Sequence, residues 1–281
     1  MISLLIATLF SAGFGLVVRD AQGRDRNLWA VGAINYVFAA LFHLVRAVAA
    51  GSPAPTAPTW AIGVLGGIAY VGSYAVLVPT MQLRGVSITT AILRLSVIIP
   101  ILVSMLVWGE RPDTVQTVGG VMAIVALPLL AYRPSDANEG SMSKRDRWVA
   151  VIVFVGNGLC MLAIRGFRQV DLPGQESWFL AILFGTAAIV ACLGWWRNRS
   201  GSRLLDVGHG VLLGICNAVG NLALVQALQH YDSVLVFPFQ AAVGMVFTAI
   251  FARIAWRERI TRTESVGMVT ALIAVILINV A

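Results

Sequence analysis

Apolar residues along this chain fall into ten long runs, at roughly 1–18, 28–49, 60–80, 86–108, 115–132, 148–164, 177–196, 207–229, 232–255 and 265–281. A helix needs about 20 such residues to cross a hydrocarbon core about 30 Å thick, so each run predicts one transmembrane helix. None alternates apolar and polar residues over the ~10-residue segments of a membrane β-barrel, which excludes that architecture. The first run has no basic flank before it and no small-residue cleavage site, and it reads as a retained helix rather than a signal peptide. Nearly everything between runs is a short polar connection. The longest extends from Arg133 to Arg147, through Pro134-Ser135-Asp136-Ala137-Asn138-Glu139-Gly140-Ser141, and it reads as a linker. The expected organisation is a five-helix half over 1–132, a linker over 133–147 and a second five-helix half over 148–281. The fold class is an all-α polytopic membrane protein.

Composition strengthens this picture. Of 281 residues, 58% are hydrophobic and 12% charged, against about 25% charged in a soluble domain, and the mean hydropathy is +0.84. A soluble globule cannot hide so much apolar surface and keep a wettable exterior. That sets aside a soluble enzyme and a disordered chain. The net charge of +7 does not mark a nucleic-acid binder either, because the basic residues sit in the gaps between apolar runs. Their placement orients the chain instead. Connections after spans 1, 3, 5, 7 and 9 carry Arg19, Arg24, Arg26, Arg84, Arg133, Lys144, Arg145, Arg147, Arg197, Arg199, Arg203, Arg253, Arg257, Arg259 and Arg262, which is 15 of the 20 basic residues. The opposite side carries Arg46, Arg111, Arg165 and Arg168, and Arg94 lies inside a span. By the positive-inside rule the odd-numbered connections are cytoplasmic and both termini outside. The three cysteines, Cys160, Cys192 and Cys216, all lie inside apolar runs without metal-binding spacing, so neither a disulfide framework nor a metal site is expected.

The halves resemble each other at a constant offset of 148 residues. Trp108-Gly109-Glu110-Arg111 meets Trp256-Arg257-Glu258-Arg259, with a glycine eight residues after the last Arg of each, at Gly119 and Gly267. Val118, Val121, Ala123 and Ala126 meet Val266, Val269, Ala271 and Ala274. Because each half has an odd number of spans, the second enters the membrane upside down. Inverted repeats are a hallmark of secondary transporters, whose substrate site lies near the midplane.

At these blocks the sequence resembles the EamA-type proteins of the drug/metabolite transporter superfamily. The likeness rests on Arg84-Gly85-Val86-Ser87 leading into a span with Pro100, closed by Trp108-Gly109-Glu110-Arg111, with Val118-Gly119-Gly120 opening the next. It recurs as Asp232-Ser233-Val234 leading into a span with Pro238, closed by Trp256-Arg257-Glu258-Arg259 and Gly267. The resemblance implies a ten-helix carrier of small metabolites, often an amino-acid exporter of the bacterial inner membrane, with a cavity built from spans 1, 3, 4, 6, 8 and 9. It also implies cytoplasmic termini, against the charge distribution.

Polar residues at membrane depth are the candidate site. A charged residue there costs about 2.5–3.5 kcal/mol on insertion scales, and Arg94 is such a residue. Thr90 and Arg94 share a helix face with Ser87, and a guanidinium can grip a carboxylate with two bonds. Its repeat mate is Ala242, so the charge is not part of the shared scaffold. The competing reading is a structural Arg that snorkels or caps carbonyls of a helix kinked at Pro100. Span 3 carries Gly63, Gly66, Gly67, Tyr70, Ser73 and Tyr74, where the glycines read as close helix packing and the hydroxyls need partners or water. Asn217 and Asn221 lie one turn apart on span 8, Asn157 stands between two glycines on span 6, and Gln240 follows Pro238 on span 9. Buried amides either join helices or bind ligand, and joining is the commoner role. His43 and His209 read as helix-packing histidines rather than proton carriers. Trp29, Trp60, Trp178, Trp195 and Trp196, at span ends, read as interface anchors.

All 13 acidic residues fall in connections or at span ends, which disfavours a cation/proton antiporter. No zinc-hydrolase, serine-hydrolase or phosphate-loop motif occurs. No enzyme activity and no cofactor is expected. The expected function is alternating-access transport, as an exporter, of amino acids or other carboxylate-bearing metabolites. Arg94 would hold the carboxylate, with Tyr70, Ser73, Tyr74, Thr90, Asn157, Asn217, Asn221 and Gln240 shaping the cavity. Export of neutral or cationic lipophilic compounds, and a non-transporting membrane scaffold, stay open as alternatives. The partners expected are the small-molecule substrate and the lipid bilayer, with a homodimer as one arrangement left open and no nucleic acid.

Overall fold

A computed structural model describes residues 1–84, 93, 95–111, 113–131, 144–170, 172–197, 204–255 and 262–280. Ten helices lie among the described residues, one on each apolar run, and no strand: α1 (Ile2–Gly23), α2 (Leu28–Ala49), α3 (Ala57–Arg84), α4 (Ile98–Val107), α5 (Thr114–Ala131), α6 (Lys144–Val170), α7 (Glu176–Arg197), α8 (Leu204–His230), α9 (Ser233–Ala255) and α10 (Arg262–Val280). Among the described residues, seven segments are long and apolar enough to cross a membrane: Ile2–Gly23, Leu28–Ala49, Ala57–Leu77, Val151–Val170, Glu176–Arg197, Leu204–His230 and Ser233–Phe251. Three shorter apolar segments are Ile98–Val107, Thr114–Leu127 and Ser265–Ala274.

Local signals set the helix ends. Asn27 starts α2 by accepting from the backbone N–H groups of Trp29 and Ala30 at 3.1 and 3.2 Å, which satisfies donors that the first turn leaves without partners. Asp113 and Gln116 start α5 with a reciprocal pair of bonds, 2.8 Å from the Gln116 N–H to the Asp113 carboxylate and 3.2 Å from the Asp113 N–H to the Gln116 side chain. That is the capping-box arrangement. Gly51 closes α2 at a φ of +57°, so that the Ser52 N–H reaches back to the Ala47 carbonyl.

The chain forms two compact units. One comprises Met1–Tyr74 with Leu159–His230, the other Ala75–Gly158 with Tyr231–Ala281. Each draws on both halves of the sequence, and the boundary passes through α3 and α6.

In the first unit α2 packs against α7 and α8, and α1 against α8. Glycines make the contacts close: a Cβ at Gly210 would stand 2.6 Å from the Ile34 Cβ, and one at Gly214 would stand 2.9 Å from Phe38 and 3.1 Å from the Asn35 carbonyl. Gly63 and Gly66 of α3 rest on Ile182 and Leu183 of α7 in the same way. At one end of the unit Asp20 of α1 meets His209 of α8 at 3.0 Å. At the other end Gln175, before α7, accepts from Thr59 of α3 at 2.5 Å, and Arg46 of α2 bonds Ser177 of α7 at 3.0 Å.

In the second unit α5 packs against α9 and α10, and α9 also touches α4. Large apolar side chains stand exposed on both units, among them Leu65, Ile189, Leu106 and Ile254, as a lipid-facing surface requires.

Candidate functional site

Three of the residues expected at the site meet inside the first unit. The Tyr70 hydroxyl of α3 donates to Asn221 Oδ1 at 2.5 Å. Asn221 Nδ2 donates to the Asn217 backbone carbonyl at 2.9 Å and to Asn217 Oδ1 at 3.0 Å. Asn217 Nδ2 then donates to Asn35 Oδ1 on α2 at 3.1 Å. The result is a head-to-tail ladder of one phenol and three amides, linking α3, α8 and α2. Asn35 is fully buried, and no polar residue one turn away on its own helix marks it in the sequence, so sequence reasoning missed it. The ladder can form because Gly210 and Gly214 bring α8 close to α2.

Ser73 and Tyr74 lie farther along α3. The Tyr74 hydroxyl donates to the Leu28 carbonyl at 2.6 Å, and its ring covers Gly32, which places it in the packing of α2 against α3. Ser73 is buried beside the Cys160 thiol. Tyr36, also buried, donates to the Tyr70 backbone carbonyl at 3.3 Å and lies edge-on to Tyr74.

His43, two turns beyond Asn35 on α2, is enclosed by Phe42 and Phe184, stacked on the latter at an interplanar angle of 12°. Its ring also faces the backbone of Ala218 on α8. His209 differs, with Nε2 facing Asp20 and Nδ1 facing the Leu205 carbonyl at 3.1 Å.

In the second unit Asn157 Nδ2 donates to the Leu93 carbonyl at 3.1 Å and to Ser96 Oγ at 2.5 Å. The amide thus fastens α6 to the turn at Ser96 and Val97 ahead of α4. Its neighbour Gly158 makes the approach possible, since a Cβ there would stand 2.8 Å from the Ile99 Cβ. Gln240 is buried in α9. Arg94 and Thr90 lie outside the described residues.

The first copy of the Trp-x-Glu-Arg motif has a role that sequence reasoning did not see. Gly109 takes a φ of +66°, and the buried Glu110 that follows accepts from Ser233 Oγ at 2.5 Å and from the Val234 N–H at 3.0 Å. Ser104 bonds the same Ser233 hydroxyl at 2.8 Å. A carboxylate placed at the positive end of a helix is stabilising, so Glu110 caps α9. Its counterpart Glu258 lies outside the described residues.

Against known proteins, the model of the EamA-like transporter family matches residues 1–132 and again residues 147–280. This chain belongs to the EamA-like transporter family. Together with the seven long apolar helices, membership makes this EamA-like chain a multi-pass integral membrane protein of a transporter family. It is similar to an uncharacterised protein of Haemophilus influenzae, with 24% identity over 207 residues, 72% of this chain and 69% of that one. A crystal structure with 12% sequence identity superposes at a TM-score of 0.78, covering 99% of this chain and 96% of that chain. That likeness is one of fold.

Proposed function

We propose that this EamA-like protein is a secondary carrier that exports small carboxylate-bearing metabolites, amino acids foremost, across the bacterial inner membrane. It works by alternating access, with ten spans arranged as two inverted repeats. The observation that carries the reading is the ladder of Tyr70, Asn221, Asn217 and Asn35. Neutral hydrogen-bonding groups from three long apolar helices meet there, and polar groups in such helices are rare without a functional or packing role. Arg94 supplies the fixed positive charge for the carboxylate. Ser73, Tyr74, Thr90, Asn157 and Gln240 shape the site or hold the helices that form it.

The helix ends support ten crossings. Within the first unit the connection after span 2 meets the start of α7, and the end of α1 meets the start of α8. Within the second, the connection after span 4 meets the start of α9. Each pairing joins connections of equal parity, as a chain crossing ten times requires. The match to a bacterial relative supports the membrane assigned.

A thermal-shift screen of the purified protein against anionic, zwitterionic, neutral and cationic metabolites tests the reading, with Arg94→Ala beside the wild type. A ligand at about 100 times its Kd stabilises the fold by about 2.7 kcal/mol. The reading predicts stabilisation by carboxylates that disappears in a folded Arg94→Ala protein. Stabilisation by cations alone, or equal shifts in both proteins, would favour a carrier of lipophilic compounds with a structural Arg94.

A further inference from the structure

The ladder inside the first unit has a direction, and the direction selects a substrate chemistry. A backbone carbonyl can only accept a hydrogen bond. Asn221 donates to the Asn217 backbone carbonyl at 2.9 Å, so the Asn221 side-chain amide is held with its Nδ2 towards α8 and its Oδ1 towards Tyr70. An amide oxygen also only accepts. The Tyr70 hydroxyl proton is therefore committed to Asn221 Oδ1. The same constraint passes along the ladder the other way: Asn217 Oδ1 accepts from Asn221, so Asn217 Nδ2 turns to Asn35 Oδ1.

The two ends are consequently unlike. One is the Asn35 Nδ2, a donor with no partner among the described residues, sealed in a fully buried side chain. The other is the Tyr70 phenol oxygen, an acceptor on a half-buried residue. Tyr36 does not occupy that oxygen, because it bonds the Tyr70 backbone carbonyl instead. Among the described residues no donor reaches the phenol oxygen.

We propose that Tyr70 meets the substrate as a hydrogen-bond acceptor and that its position takes the substrate's ammonium or another N–H donor. Asn221 and Asn217 act as positioning residues that hold the phenol proton away from the ligand. The inference rests on the carboxylate-carrier reading and narrows it to zwitterions of the α-amino acid type. A keto acid presents only acceptors at this place, and it faces an oxygen whose one proton is already engaged.

The experiment measures affinity in matched trios that share a side chain: L-phenylalanine, L-phenyllactate and phenylpyruvate, then L-alanine, L-lactate and pyruvate. Wild type, Tyr70→Phe and Asn221→Leu are titrated by thermal shift. The wild type should bind the amino acid at least about tenfold more tightly than its keto acid, the scale of one hydrogen bond to a charged group. Tyr70→Phe should erase most of that ratio while keto-acid affinity changes little. Asn221→Leu frees the phenol proton and should raise keto-acid affinity, so the ratio falls from the other side. A packing role alone would move all three ligands together. Equal wild-type affinity across a trio would overturn the proposal whether or not either variant folds. So would a ratio that survives in folded Tyr70→Phe. If no member of either trio binds but other carboxylates do, the zwitterion assignment fails and the carboxylate reading stands. If carboxylates bind nowhere in the wider screen, both fall.

Discussion

At Glu110 a single carboxylate joins the end of one apolar segment to the start of another. Its oxygens accept from Ser233 and Val234, and the residue is buried. Removing it leaves the Val234 N–H and a serine hydroxyl without that acceptor. The loss of a buried partner costs about 1–3 kcal/mol. Glu110→Ala should therefore lower the stability of the detergent-solubilised protein by that amount in denaturant unfolding, and Glu110→Gln should lose less because its amide oxygen still accepts. Equal stability of all three proteins would remove the cap from the account. The sequence showed Glu110 only as half of a repeated motif. Its partner at Ser233 is 123 residues away, and no local spacing points across such a gap. Asn35 was illegible for the same reason, because what marks it is Asn217 on another helix. Asn217 and Asn221 were legible as a pair because both lie on one helical face.

Between helices, glycine decides how close two backbones come. Gly208 and Gly210 lie on the same turn of α8, yet nothing stands within 4 Å of a Cβ built at Gly208, whereas one at Gly210 would meet Ile34 at 2.6 Å. Gly208→Ala should be neutral or stabilising by up to about 1 kcal/mol, through helix propensity. Gly210→Val should destabilise by about 1–3 kcal/mol through overpacking and should also disturb the ladder beside it. Thermal unfolding of the two variants checks the contrast, and similar effects from both would contradict the seam described between α2 and α8. The helices themselves were readable from the apolar runs, since burial in lipid demands long uninterrupted apolar segments. The partner of each glycine was not readable. Spacing along α3 marks Gly63, Gly66 and Gly67 as contact points, but Ile182, Leu183 and Ala163 lie more than 90 residues away in the chain.

At the scale of the whole molecule, two kinds of division coexist. The family model and the internal repeat divide the chain near its middle, whereas the compact units interleave segments from both halves. Periodicity along the sequence records the first division and carries no trace of the second, which depends on contacts between distant segments. The charge asymmetry makes a topological prediction. In a protein whose native cysteines are replaced, a new cysteine at Asp25 should react with a membrane-impermeant thiol reagent only from the cytoplasmic side. One at Ser52 or Gly174 should react only from outside. Labelling of Ser52→Cys and Gly174→Cys from opposite sides would break the parity seen within the first unit. Labelling of both from the cytoplasm would keep the fold and reverse the orientation.

Transport itself is the most direct test of the central claim. Purified protein in liposomes loaded with an unlabelled amino acid should take up the labelled amino acid by counterflow, saturably. Folded Arg94→Ala should exchange it at least about tenfold more slowly, the loss of one charge-assisted contact. If no carboxylate-bearing solute exchanges under any imposed gradient, the protein is not the carrier described here. If exchange is unchanged in Arg94→Ala, the carboxylate is held elsewhere.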